Sequence, residues 1–439
     1  MIASVTHSST RADRYDVITA VWGGEVIELF LELCVSNQLS SGNLPALPSG
    51  SRYRILTSPE DAPMLAADPR LDPIRQVLPV DIVAVDMTDA DRHVKAGQSW
   101  NVHKRMIACH RRAASDAAAD SRALVFLAPD FVLGEGTLRG LVRLHTRGAR
   151  AVLTANLRLC REEFLADYLV RGKDALPPRQ LVGMALRYLH PWTRSLMADG
   201  ETTSDTPTSV YWPVRAGADL DGLLVRSFYL HPMLVDPVRR DAMPGGPVDS
   251  HYVRDCCPDI TQCQVVEDSD DLVVFELSPV GRVISNERPS RGMPPWRLAA
   301  VAANCDAHQL SHWHHPIRLH AGDLDERWNT ADADSARLAR RVDRYRPFGP
   351  LLIRTYALLK VWRQRRAATG RSYRRWRGVV RDIQQGLRRR IAEVGQVRKA
   401  LRPPMTSKQL ARPARLIAHR AAKSSKVSLK RIRRRVGLL

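Results

Sequence analysis

Long apolar runs are missing from this chain. Nowhere in its 439 residues do about 18 uncharged apolar residues follow one another, so no segment reads as a membrane-spanning helix. The opening stretch, Met1 to Asp16, is polar and holds nothing resembling a secretory signal. Paired cysteines are missing too. Cys34, Cys109, Cys160, Cys256, Cys257, Cys263 and Cys305 are odd in number and never spaced CxxC. This excludes a zinc ribbon, argues against a disulfide scaffold, and fits reduced thiols. We therefore expect a cytoplasmic protein. Several catalytic signatures are absent as well. There is no Walker A loop and no GxSxG elbow, and Gly134-Glu135-Gly136 lacks the third glycine of a dinucleotide fingerprint.

Negative charge is scarce in one region only. The formal net charge is +21, which suggests a nucleic-acid binder until it is divided. Residues 351–439 hold 27 Lys and Arg against Asp382 and Glu393, while residues 1–350 hold 40 basic and 44 acidic residues. The body is mildly acidic, so nucleic acid is disfavoured as its substrate, and the tail is a separate physical problem. With 44% hydrophobic residues, the body can build a sizeable core.

The first half of the chain alternates strand-like and helix-like patterns. Val17 to Val21 is a β-rich run stopped by Gly23-Gly24. A helix is expected next, with Val26, Leu29, Phe30 and Leu33 on one face and Glu25, Glu28 and Glu32 on another. Tyr53–Leu56 reads as a second strand, followed by capping residues Thr57 to Asp61. Residues 77–85 hold a third strand interrupted at Pro79. Ala123 to Leu127 is an apolar run of the fully buried kind. Thr137 can cap a helix carrying Leu138, Leu141 and Val142, Gly148 stops it, and Ala151 to Thr154 forms the next strand. Strand, helix and strand in about 30 residues is a βαβ unit, which implies a parallel sheet. Residues 199–210 read as a mobile loop, 223–230 and 272–277 as strands, and 286–295 as an irregular connection.

In an open parallel sheet, ligands bind beyond the carboxyl ends of the strands. Asp130 follows the strand 123–127 directly. It can face a cation that holds a diphosphate, or it can simply be a turn residue after Pro129. Asp249, in Pro247-Val248-Asp249, can cap a short helix beginning near Ser250. Glu267 to Asp271 is an acidic run that reads as a solvated turn. His308, His312, His314, His315 and His320 form a group whose His308–His312 spacing suits one helical face, although half-buried histidines around Trp313 explain most of it.

A family resemblance joins these pieces. Val21-Trp22-Gly23-Gly24, Ser41 to Leu47 and Tyr53 to Asp61 resemble the opening of bacterial glycosyltransferases with the GT-A fold. Phe126-Leu127-Ala128-Pro129-Asp130 resembles that family's strand ending in Asp-x-Asp, with Ala128 standing where the first Asp belongs. Phe228 to Pro232, Val248 to Val253 and Asp271 to Ser278 continue the likeness, which covers roughly residues 15–320. It implies a GT-A-like, Rossmann-like α/β domain over 1–320, with a mostly parallel sheet flanked by helices. A connecting segment over 321–350 and a basic helical tail over 351–439, partly disordered, complete the chain.

The activity implied is transfer of a sugar from a nucleotide-sugar donor to a hydroxyl acceptor, a glycan or a lipid-linked molecule, in cell-surface glycan synthesis. By resemblance Val21, Trp22, Gly23 and Asp130 bind the donor, and Asp249 is the catalytic base. A divalent cation, Mn²⁺ or Mg²⁺, is held by Asp130 with His315 or His320. A nucleotidyltransferase and a catalytically inactive interaction protein are the alternatives. The tail, with Arg clusters around Trp362 and Trp376, suits an anionic membrane surface at the inner face of the plasma membrane more than nucleic acid.

Overall fold

The computed structural model describes residues 13–87, 100–281, 287–289, 292–349 and 351. The chain divides into two compact units, Met1–Tyr356 and Ala357–Leu439, and every described residue belongs to the first. The basic tail expected over 351–439 therefore lies, beyond Leu351, outside the described residues.

In chain order the strands are β1 (Tyr15–Ala20), β2 (Arg52–Thr57), β3 (Val80–Ala84), β4 (Ala123–Leu127), β5 (Phe131–Leu133), β6 (Ala151–Thr154), β7 (Leu157–Cys160), β8 (Thr202–Ser204), β9 (Ser209–Ala216), β10 (Asp219–Ser227), β11 (His231–Val235), β12 (Cys263–Val265), β13 (Val274–Ser278), β14 (Glu287–Pro289) and β15 (Ile317–His320). Seven of them form the main sheet, in the order β12-β6-β11-β4-β1-β2-β3. β1 to β4 pair in parallel, β11 lies antiparallel between β4 and β6, and β12 is parallel to β6. The βαβ reading of 123–154 is thus corrected in one respect. β4 and β6 run the same way, but a place is left between them, and β11 fills it from much later in the chain. Nothing local to 123–154 records that gap.

The sheet is covered on both faces, which is why its strands read as unbroken apolar runs. Val17, Ile55, Val125 and Val152 pack with Phe30, Leu138 and Leu141 on one side. Ile18, Leu56, Phe126 and Leu153 pack on the other, where the long helix Trp100–Asp120 brings the small side chains Cys109, Ala113, Ala114 and Ala117. The two-residue alternation of a strand produces this division.

The helix after β1 runs from Gly24 to Gln38 through a π turn at Phe30–Cys34. It buries Phe30 and Leu33 of the expected face together with Ile27, Leu31 and Cys34, and leaves Val26 exposed, so the buried face is wider than expected and shifted at its start. The helix Thr137–Thr146 is entered through Gly136, whose φ of 83° is left-handed. Thr137, expected as the cap, instead donates its hydroxyl to the Val273 carbonyl at 3.0 Å.

Two connections expected to be irregular carry structure. β8, inside 199–210, pairs with β14, inside 286–295. The stretch 321–350 carries the helix Trp328–Tyr345, whose buried Trp328 fills the space beside Gly222. A Cβ there would come within 2.6 Å of the indole. Arg226 donates to Ser335 at 3.1 Å and Arg318 to Asp332 at 2.8 Å, so this helix is part of the first unit.

At the amino-terminal edge of the sheet the fully buried Asp16 accepts from Arg52 Nε at 2.7 Å and Arg122 Nε at 2.5 Å. Arg52 also reaches Asp120 at 2.7 Å, Arg54 reaches Asp116 at 2.7 Å, and Arg122 bonds the Gly50 carbonyl.

Candidate active site

The opposite edge, where the parallel strands end, gathers a different set of side chains. β1 hands over to Val21, whose N–H donates to the Leu56 carbonyl at 2.9 Å, and then to half-buried Trp22. Gly23 turns the chain with a φ of 80°, and its N–H is held at 3.0 Å by the carboxylate of Asp61. Ser58 donates to the same carboxylate oxygen at 3.1 Å. The residues between Thr57 and Asp61 therefore brace the turn after β1. Asp61 makes no side-chain cap on its own helix, Ala62–Ala67.

Asp130 follows β4 and is half-buried. Its carbonyl accepts the N–H of Leu277 at 2.9 Å, so it lies beside the far end of β13. The preceding Pro129 carbonyl accepts from the Cys34 thiol at 3.1 Å. Burial pushes that thiol well above its ordinary range, and the nearby Asp130 charge adds to the effect.

β13 is the link between the two carboxylates expected in the site. It pairs antiparallel with β5 and parallel with β7, which places Glu276 opposite both Phe131 and Arg158. Glu276 forms an ion pair with Arg158 and accepts from Asn156 at 3.1 Å. Arg158 also donates to Ser278 at 2.8 Å and lies 5.7 Å over the ring of Trp192. Asp249 stands within electrostatic reach of Glu276 and Arg158. Burial raises its carboxyl to about 6, and the Glu276 charge contributes in the same direction. Tyr229, just before β11, feels the Asp249 charge in turn. The buried Asn156 Oδ1 has no hydrogen-bond partner among the described residues.

Arg158, Asn156, Glu276, Trp192 and Tyr229 were not singled out from the sequence. One signal was available. Glu276 is the lone charge in the apolar run Leu272 to Leu277, and a carboxylate buried in a central strand needs a partner.

The histidines do not join Asp130. His308 bonds the Cys257 carbonyl at 2.9 Å and His312 the Phe228 carbonyl at 3.2 Å. Burial lowers His312 to about 4. His314 lies 3.7 Å from Asp343. His315 pairs with Glu267 at 2.6 Å, and His320 with Asp268 at 2.9 Å. Asp268 precedes β13, whereas Asp130 lies against its other end. The described contacts of His315 and His320 are therefore with Glu267 and with Asp268 and Asp270 rather than with Asp130. Among the described residues, the side chains at Asp130 do not group into a cation site. Ala128 offers no carboxylate, and Glu276 is engaged by Arg158 and Asn156. Among the described residues, three potential ligands do meet elsewhere, at Asp268, Asp270 and His320.

No known family matches this sequence, and no curated protein does. Solved structures with some likeness include three transferase-type neighbours. Mouse xyloside xylosyltransferase 1 in its apo form is 8% identical, with a TM-score of 0.24 over 36% of this chain and 59% of that one. TarS of S. aureus is 12% identical, with a TM-score of 0.28 over 78% of this chain and 53% of that one. The mannosyltransferase PcManGT from Pyrobaculum calidifontis, in complex with GDP-Man and Mn²⁺, is 13% identical, with a TM-score of 0.29 over 84% of both chains. The chain thus spans little more than half the length of the first two. At these TM-scores the likeness carries no conclusion about chemistry.

Proposed function

We propose that this chain is a glycosyltransferase that moves a sugar from a nucleotide-diphosphate donor to a hydroxyl acceptor. The observation that carries the reading is the convergence on β13. Asp130 follows β4, where ligands of a parallel sheet bind, and its carbonyl accepts from Leu277 of β13, while the half-buried Asp249, raised to about 6, lies within electrostatic reach of Glu276 on the same strand. Val21, Trp22 and Gly23 at the end of β1 would line the nucleotide pocket, and Asp130 would face the diphosphate end of the donor.

The chemistry proposed uses side chains alone. The acceptor oxygen attacks the anomeric carbon, the bond from that carbon to the diphosphate oxygen breaks, and the diphosphate leaves with the electron pair. Asp249 takes the acceptor's proton. A carboxyl near 6 is ionised at neutral pH yet basic enough to receive a proton as the bond forms. Glu276 and Arg158 keep that carboxylate in a fixed field. A thermal-shift panel of nucleotide sugars tests the donor class, because a ligand that binds the native state raises the melting point by mass action. One member should stabilise the protein, and Asp130→Asn should weaken that ligand at least tenfold, about 1.4 kcal/mol. If no nucleotide sugar shifts the melting point, the reading fails.

The tail is assigned to an anionic membrane surface, where a membrane-linked acceptor would be met. Its 27 basic residues can each contribute about 1 kcal/mol near such a surface. Full-length protein should float with anionic liposomes at moderate salt, and a chain ending at Pro350 should not. Flotation of both, or of neither, removes the assignment.

A further inference from the structure

We infer that Asp268, Asp270 and His320 form a divalent-cation site that is separate from the candidate active site and ties the turn before β13 to the end of β15. His320 is buried, with 1% exposure, while the two carboxylates are partly open to solvent. One donor atom from each of the three lies within 4.8 Å of the others.

The hydrogen bonding of the imidazole makes this more than a group of acids. His320 Nδ1 lies 2.7 Å from the carbonyl of Gly322. A carbonyl only accepts, so Nδ1 carries the proton, and in the neutral ring Nε2 presents a lone pair. That lone pair points at Asp268 Oδ1, 2.9 Å away, with Asp270 Oδ2 at 3.8 Å. With no proton on Nε2, acceptor faces acceptor, and a cation in the gap would satisfy both. In a tetrahedral site with bonds of about 2.1 Å, ligand atoms sit about 3.4 Å apart, between the two observed separations.

The surrounding charge favours a cation. Asp270 and Asp323 share the guanidinium of Arg179, at 2.9 and 2.7 Å. Three carboxylates then stand against one Arg, an excess of two negative charges. The backbone is already set for ligation. Asp268 Oδ1 accepts the Asp270 N–H at 2.8 Å, and Ser269 Oγ accepts the His320 N–H at 3.2 Å. One imidazole with two carboxylates suits Zn²⁺ or Mn²⁺ better than Mg²⁺, which prefers oxygen ligands and keeps its waters. The remaining positions are open to solvent on the carboxylate side.

A proton on Nε2 is the competing occupant of the gap, and the experiment separates the two. Full-length protein is stripped with EDTA and titrated with Zn²⁺ or Mn²⁺ alone, with no nucleotide sugar present. Bound metal is counted by elemental analysis, and melting points are recorded. Wild type should bind one equivalent at this site, and at about a hundredfold excess over Kd it should melt about 3–4 °C higher. Asp268→Asn and Asp270→Asn, singly and together, should bind one equivalent fewer and lose the shift. Both residues are partly exposed, so the variants should fold, and circular dichroism checks that they do. Asp130→Asn should keep both the metal and the shift. Failure of wild type to bind either metal would overturn the inference. So would metal retained in the double variant, or lost on Asp130→Asn. Since no donor is involved, the result stands apart from the success or failure of the glycosyltransferase reading.

Discussion

The two edges of the main sheet treat buried carboxylates in opposite ways. At the amino-terminal edge Asp16 is closed in by Arg52 and Arg122, and its oxygens are matched by guanidinium donors. At the carboxyl-terminal edge Asp249 is raised to about 6 by burial, with another carboxylate as a neighbour and its balancing Arg158 already engaged by Glu276. One arrangement satisfies a charge that folding has desolvated, and the other leaves the cost standing. Structural carboxylates are paired because an unpaired one is expensive. A site that must bind and react tolerates the expense, because its partner is to be the substrate.

Replacing Asp249 should break that comparison most visibly. Asp249→Asn should lower turnover by roughly 10²- to 10⁴-fold with donor affinity nearly unchanged, measured as initial rates beside donor titrations. Wild-type kcat/KM should fall as pH drops through about 6, where the base becomes protonated. The same substitution should stabilise the fold. The Asp249 carboxyl is raised from an unfolded value near 3.9, so the folded chain binds this proton more tightly than the unfolded one. That contribution is fully present below about pH 4 and is lost as pH rises through about 6. A neutral Asn avoids the loss, and at neutral pH it should gain about 1–3 kcal/mol in urea melts, with the gain vanishing in acid. A helix cap would behave in the reverse way, since its removal destabilises without touching turnover.

The candidate edge was partly legible in the sequence. Asp130 and the Val21-Trp22-Gly23 turn could be found because a strand ending in an apolar run announces its own carboxyl end. Asp249 came from resemblance alone. Arg158 and Glu276 were hidden, since they meet only through the pairing of β7 with β13 across more than a hundred residues, and no local period records that register. The same limit explains β11. Its place between β4 and β6 is set by pairing with strands far earlier in the chain. The buried face of the helix Trp328–Tyr345 carries Trp328 and Val342 at its two ends, but only the small Ala331, Ser335 and Ala339 between them, and small residues give a weak apolar signal. His320 was expected beside Asp130, but its described side-chain partners are Asp268 and Asp270, which read in the sequence as a solvated turn.

The other edge can be tested by removing its central charge. Asp16→Asn leaves three guanidinium groups to find other partners, those of Arg52 and Arg122 and that of Arg54, whose Nη1 lies 3.8 Å from Asp16. Arg52 keeps Asp120, and Arg54 keeps Asp116. Arg122, only 8% exposed, keeps just the Gly50 carbonyl among the contacts described for it. An unpaired buried charge costs about 3–5 kcal/mol. Because two of the three cations retain carboxylates, the loss in urea melts should fall near the lower end of that range. Arg122→Met removes the stranded cation, so the double variant Asp16→Asn/Arg122→Met should recover part of what Asp16→Asn loses. The double-mutant cycle should therefore be strongly non-additive. Turnover and donor affinity measured below the melting transition should stay at wild-type values in all three variants. Additive losses would mean that Arg122 and Asp16 do not depend on each other. A fall in turnover without a fall in stability would mean that this edge, too, belongs to the site.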